Sequence, residues 1–323
     1  MSALRLRVAL RRGALITAAN WPLVVVEFAT DTLYKAALGV PIVGGALMVG
    51  ALVGNDLSSM LSQGLRAGAS MVVASLVDAP MALVAFVLAL AVMAVGGALL
   101  LFLVRAGTMA VLVAGERQSS DELHAGSIRF ELMRRAHACH LETFLAGARH
   151  FGRRYVMLGA WMMAAYALTG ALYLLAMVSA YRWATRTDWI SAFPLILLVA
   201  TSGLVIGLTV VNLLYLLAEI ILVSEDCSLA QASHRLRAFL LHDARQVAGI
   251  FGVILTVAIV GAAVSLLVTA ALGLIAWVPL VGLTVVPLQA AAWLVRGLVF
   301  EFVDLTALTA YLAQYRRFVE QDE

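Results

Sequence analysis

Residues Pro287–Arg317 read PLQAAAWLVRGLVFEFVDLTALTAYLAQYRR, and the fold turns on how they are read. A bilayer's hydrocarbon core of roughly 30 Å needs about 20 apolar residues in a helix. This stretch supplies that length, yet it carries Arg296 in its interior, with Glu301 and Asp304 behind it. Two earlier stretches have the same layout. In Met81–Arg117, the segment LFLVRAGTMAVLVAGER puts Arg105 where Arg296 falls; in Pro194–Asp226, TVVNLLYLLAEIILVSED puts Asn212 there. These are read as three equivalent transmembrane helices, each polar near its middle.

Composition agrees with that environment. Of 323 residues, 63% are hydrophobic and 13% charged, and the mean hydropathy is +0.99. A soluble domain has about 45–50% apolar and roughly 25% charged residues. Water would not solvate such a surface, so the solvent is largely lipid. The net charge of +3 does not imply nucleic acid, because the basic residues flank apolar spans rather than forming a soluble basic domain. No nucleic-acid partner is expected.

Around the three polar helices the chain divides into six spans. Residues 3–19 form a basic amphipathic helix suited to the headgroup plane. The N-terminus has a basic start but no small-residue cleavage site, so it is not read as a removable signal peptide. Residues 21–53 cross once, and two readings fit them. One is a single helix kinked near Pro41; the other is an interfacial helix to about residue 35 followed by a short span. Residues 55–79 suggest a surface helix on the outer side. The remaining crossings are 81–114, 155–180, 194–224, 247–272 and the Pro287 stretch. Tyr181, Trp183 and Trp189 mark an interfacial aromatic belt.

Orientation follows from the arginines. Sixteen basic residues fall in the segments assigned to the inside: Arg5, Arg7, Arg11 and Arg12, seven between Glu116 and Arg154, Arg235, Arg237 and Arg245, and Arg316 and Arg317. The outer segments hold three, Arg66, Arg182 and Arg186. That bias puts both termini in the cytoplasm of a bacterial inner (plasma) membrane. Cys139 and Cys227 then lie on a reducing side, and no disulfide is expected.

The whole chain, 1–323, reads as one membrane domain of three pseudo-repeats, 1–117, 128–226 and 228–318. Each has an inner amphipathic helix, a span outward and a long span back. Three parallel copies suggest a pseudo-threefold bundle rather than the inverted repeats of many transporters. The segments SEDCSLAQASHRLRAFLLHDARQVAGIFGVIL and LTALTAYLAQYRRF resemble a group of uncharacterised bacterial multi-pass proteins. That group includes the membrane domain fused to some glycerophosphodiester phosphodiesterases. The resemblance covers about the last two thirds of the chain and implies architecture only, since no phosphodiesterase domain is present.

Ions are costly at the bilayer centre, about 2.5–3.5 kcal/mol for a central arginine on insertion scales, so those within spans should face partners or water. The polar-core candidates are Arg105, Asn212, Arg296, Glu27, Asp31, Lys35, Glu219, Glu301 and Asp304. Such a core either binds an ion, a proton or a headgroup, or fixes helix register through salt bridges. Candidates for contact with anionic lipid headgroups are Arg5, Arg7, Arg11, Arg12, Arg134, Arg135, Arg149, Arg153, Arg154, Arg235, Arg237 and Arg245. The His137–Cys139–His140–Glu142 cluster does not converge on a tetrahedral site, so no metal is expected, and no cofactor or catalytic residue is assigned. No phosphate-binding glycine loop, zinc-protease helix or nucleophile elbow occurs.

The leading expectation is therefore non-enzymatic: a scaffold, an accessory subunit with protein partners in a membrane assembly, or a lipid-organising factor. A transporter or channel built on the charged core is the alternative, and a membrane enzyme acting on lipid the second. In a chain with Cys139 and Cys227 replaced by serine, an impermeant maleimide on intact cells should label Arg186→Cys. Arg149→Cys should be labelled only after permeabilisation. Labelling of both from one side would overturn the assigned topology.

Overall fold

The computed structural model describes residues 2–53, 80–119, 134, 136–187, 189, 193–276 and 282–322. The expected outer surface helix at 55–79, Arg135, and the connection at 277–281 lie outside them, as does the Arg5 side chain. The described residues form seven α-helices and no strand: α1 Ser2–Ala19, α2 Trp21–Val53, α3 Pro80–Ser119, α4 Leu141–Arg186, α5 Phe193–Ser224, α6 Leu229–Ala276 and α7 Gly282–Asp322. Four helices are long and apolar enough to cross a membrane, within α3, α4, α5 and α6. The bent pair Leu6–Ala19 and Trp21–Gly45, at 79°, would make a fifth if counted as one span. The chain is a helical, multi-pass membrane protein.

Helix length accounts for the layout. At 1.5 Å per residue the 46 residues of α4 reach about 69 Å. That is more than twice the hydrocarbon thickness. Part of α4 therefore extends beyond the hydrocarbon, and its first turns carry Arg149, Arg153 and Arg154. The 48-residue α6 solves the same excess by bending. Asp243 leaves helical geometry there (φ −115°, ψ 22°), separating a surface segment from the apolar span. Its carboxylate accepts a hydrogen bond from the Gln314 amide at 3.0 Å. The start of α6 is a capping box written in Ser228-Leu-Ala-Gln231. The Ser228 backbone N–H donates to Gln231 Oε1 at 3.0 Å, and Gln231 N–H points back to Ser228 Oγ at 3.4 Å. Before it, Asp226 takes a left-handed φ of 48°, a conformation Asp tolerates better than most residues. Residues 21–53 form one continuous helix with Pro41 inside it and no break near residue 35.

The described residues fall into two compact units, Met1–Val25 with Arg105–Glu323, and Val26–Val104. In the second unit, aromatic rings lie on glycines. The Tyr34 ring occupies the space a Cβ on Gly97 would need, and a Cβ on Gly45 would sit 2.5 Å from Phe86 Cε2. In the first unit the core sits at one end of the helices. It is built from Ala106–Val113 of α3, Leu217–Val223 of α5, Leu305–Tyr315 of α7 and one face of α1. The other ends of these helices expose Val, Leu and Ile along their length, as lipid contact requires.

Helix α1 joins this core through its small residues. Ala9, Gly13, Ile16, Thr17 and Asn20 are buried along one stripe. A Cβ on Gly13 would lie 2.7 Å from the Thr306 carbonyl oxygen and 2.8 Å from Ala310 N, so α1 and α7 meet backbone to backbone. At the corner into α2, Asn20 is fully buried. Its amide donates to Ile16 O (3.0 Å) and Ala136 O (2.8 Å), and its carbonyl accepts from Ala138 N–H (2.9 Å). One side chain thus pins the corner to the segment ahead of α4. Asn20→Ala should orphan the Ala136 and Ala138 groups and cost about 2 kcal/mol or more. Gly13→Leu should cost at least as much through backbone overlap. Thermal unfolding in detergent, against wild type, measures both.

Candidate functional site: a buried ionic core

The first unit gathers ions where its helices are most tightly packed. Arg105 leaves α3 one residue before the buried block and reaches two acids on two other helices. Its Nε lies 3.3 Å from Glu219 Oε2 of α5, and its Nη2 lies 2.8 Å from Asp304 Oδ2 of α7. The Glu219 side chain is 0% exposed, Arg105 17% and Asp304 44%, so the acid most cut off from solvent holds the shared arginine alongside a better-solvated one. The Tyr215 hydroxyl, one turn earlier on α5, also hydrogen-bonds Glu219. Glycines let the helices close in. A Cβ on Gly107 would lie 2.8 Å from the Phe144 ring, and one on Gly147 would overlap Ala110.

A second pair lies deeper along α3. Arg12 Nη2 meets Glu116 Oε1 at 2.6 Å, and Arg12 Nε donates to Glu116 Oε2 at 3.1 Å, a two-pronged contact between side chains 8% and 1% exposed. Around these pairs a polar frame closes this end of the helices. Arg117 donates to Ser224 O at 2.9 Å, and the Tyr315 hydroxyl binds the Glu225 carboxylate. Beside them, in the turn between α5 and α6, Asp226 takes Arg154 at 2.5 Å and His150 at 3.0 Å. Arg154, then His150, hold its carboxyl below the usual carboxylate range. Cys139 and Cys227 are free, and burial pushes both thiols up, away from the reactive thiolate.

Set against the sequence, these placements divide the candidates. Arg105, Glu219 and Asp304 come together. Arg296 does not join them: it is exposed, with its guanidinium 5.8 Å over the Phe300 ring. Asn212 is exposed and bonded to the Tyr166 hydroxyl. Glu301 is half-buried on α7. Glu27 is buried in the second unit, where Asp31 and Lys35 pair with one another at 2.5 Å. Of the headgroup candidates, Arg7, Arg11, Arg134, Arg149, Arg153, Arg237 and Arg245 are exposed, and Arg235 is exposed with Glu225 at 3.6 Å. Arg12 lies instead in the core, where it faces Glu116 and not lipid headgroups.

The Arg12–Glu116 pair and Asn20 were not singled out from the sequence, although signals were present. Glu116 is an acid in the last turns of a helix, where the dipole disfavours it unless a cation is near. Asn20 stands between an arginine-bearing amphipathic helix and a Trp-Pro start, a natural corner. No family model, curated protein or solved structure matches the chain.

A buried carboxylate left without its cation costs about 3–5 kcal/mol, whereas an apolar replacement of both partners is often neutral. Arg105→Leu should therefore lower the unfolding temperature sharply, and Arg105→Leu with Glu219→Leu should recover most of the loss. At Asp226 the sign is opposite to that of a buried acid. Its folded value lies below the unfolded value near 3.9, so its contribution is present above about pH 4 and fades as pH falls through the lowered folded value. The pair is solvent-screened, so Asp226→Asn should change stability at pH 7 little. What change there is should vanish in acid, as a pH series of melting curves reads directly.

Proposed function

We propose that the chain is a non-enzymatic protein of the bacterial inner (plasma) membrane, a scaffold or accessory subunit that also organises anionic lipid. In this reading α2 to α7 each cross once, both termini are cytoplasmic, and the chain is three helical-hairpin repeats. The observation that carries it is that the most buried charges are spent on one another: Glu219 on Arg105, and Glu116 on Arg12. A transport route needs groups that can exchange their partners for a substrate or water. Pairs held by three helices and a surface helix instead fix register. Basic side chains that remain exposed, such as Arg149, Arg153, Arg237 and Arg245, belong to the segments assigned to the cytoplasmic side, where anionic headgroups attract them.

Extraction in mild detergent followed by affinity purification should recover a partner in fixed stoichiometry. Recovery of the bare chain alone would count against a subunit role. Reconstituted liposomes separate the transport alternative: ion or proton flux through the wild type that disappears in the Arg105→Leu, Glu219→Leu chain, whose stability the paired replacement preserves, would replace this proposal.

A further inference from the structure

Beside the ionic core, the first unit has an apolar groove of about 560 Å³ between α4, α5 and the surface segment of α6. That volume is within the range of small-ligand sites. Met157, Trp161 and Ala165 form one wall, Leu214 the back, and Ser233 and Leu236 the opposite wall. From Met157 to Ala165 the groove follows α4 for roughly 12 Å, less than half the hydrocarbon thickness, so it opens to one leaflet. Tyr215 also lines it, with its hydroxyl turned to Glu219, which leaves the groove surface itself almost wholly apolar.

Two exposed arginines flank the residues that line the groove. Arg153 precedes Met157 by one helical turn, and Arg237 follows Ser233 by one turn, so each lies on the face that lines the groove. Both are exposed, and no acid reaches either among the described residues. The neighbouring acids are already engaged: Glu225 with Tyr315 and Arg235, Asp226 with Arg154 and His150. What remains is two exposed cations, one on α4 and one on α6, each a turn from a residue that lines the oily slot.

We infer that this groove holds one acyl chain of an anionic phospholipid of the cytoplasmic leaflet, with its phosphate between Arg153 and Arg237. The inference rests on the lipid-organising reading above and names its ligand. Two arginines in the headgroup layer, acting on a net negative lipid, give preference over a zwitterionic one; the slot gives a fixed stoichiometry that lipid adsorbed around the helices lacks. Ser233 and Ala165 are narrow points where a larger side chain would take the place of the acyl chain.

Native mass spectrometry of the full chain in neutral detergent, titrated with dioleoylphosphatidylglycerol or dioleoylphosphatidylcholine, tests this. The wild type should keep one phosphatidylglycerol, favoured over phosphatidylcholine by roughly tenfold. Arg153→Gln with Arg237→Gln should abolish the preference, whereas Arg182→Gln with Arg186→Gln should retain it. Ser233→Trp should lose both lipids, and Ala165→Phe serves in its place if the tryptophan chain does not keep the wild-type melting temperature. Equal retention of the two lipids by the wild type, a broad ladder of bound lipids without a preferred stoichiometry, or an unchanged preference in the Arg153/Arg237 variant would overturn the assignment. Partner recovery is a separate readout, so loss of the subunit role would leave the lipid count interpretable.

Discussion

Hydrocarbon offers no solvation for a charge, and that constraint governs the arrangement of the whole first unit. Arg105 has to find anions within protein, and it finds them on α5 and α7. Arg105 thereby ties α3 to residues 114 and 199 positions further along the chain, on α5 and α7, at one level. The attraction does not by itself make the fold stable, because removing both ions from water costs several kcal/mol that the contact must repay. Its effect is selectivity. A slipped helix would strand Glu219 with no cation, and that alternative is far worse than an apolar mismatch.

The same logic orders the rest of the packed end of the helices. Arg12 and Glu116 repeat the arrangement with an arm of α1, and close backbone contact at Gly13 makes the approach possible. Further out, the pairs become more exposed and weaker: Glu225 with Arg235, then Asp226 with Arg154 and His150. Packing follows the same gradient. Buried aliphatic and tyrosine side chains crowd the ionic end, while the opposite halves of α4, α5 and α6 present leucine, valine and isoleucine outward. A membrane protein has little hydrophobic drive between helices inside lipid, so small residues, shape and polar contacts must bring them together. Gly107 against Phe144 and Gly147 against Ala110 are examples of that contact.

This division gives the groove its position. It lies where the packed end gives way to lipid-facing helix, between Tyr215, which is tied to the ionic core, and the surface segment of α6 that ends at Asp243. The part of α6 ahead of the bend at Asp243, from Leu229 to Leu236, supplies the groove's wall opposite α4.

Composition determined that this chain belongs in a membrane, because 63% apolar content leaves little surface for water, and unbroken apolar runs of about 20 residues or more determined that it crosses as helices, whose backbones satisfy their own hydrogen bonds in hydrocarbon. That Arg105, Glu219 and Asp304 need partners was legible for the same reason, since it depends on local residue chemistry against a known solvent, whereas the spans expected at 155–180 and 247–272 are parts of longer helices, Leu141–Arg186 and Leu229–Ala276. Which ions meet was not legible. Arg105 and Arg296 occupy matching places in their stretches, yet one is enclosed by two acids and the other lies exposed over Phe300. Depth can be counted along a sequence, but the rotation of a helix about its axis is set by its neighbours. Only the tertiary structure decided that rotation, and with it the burial of Arg12, the hold of Asn20 on the segment before α4, and the groove beside Glu219.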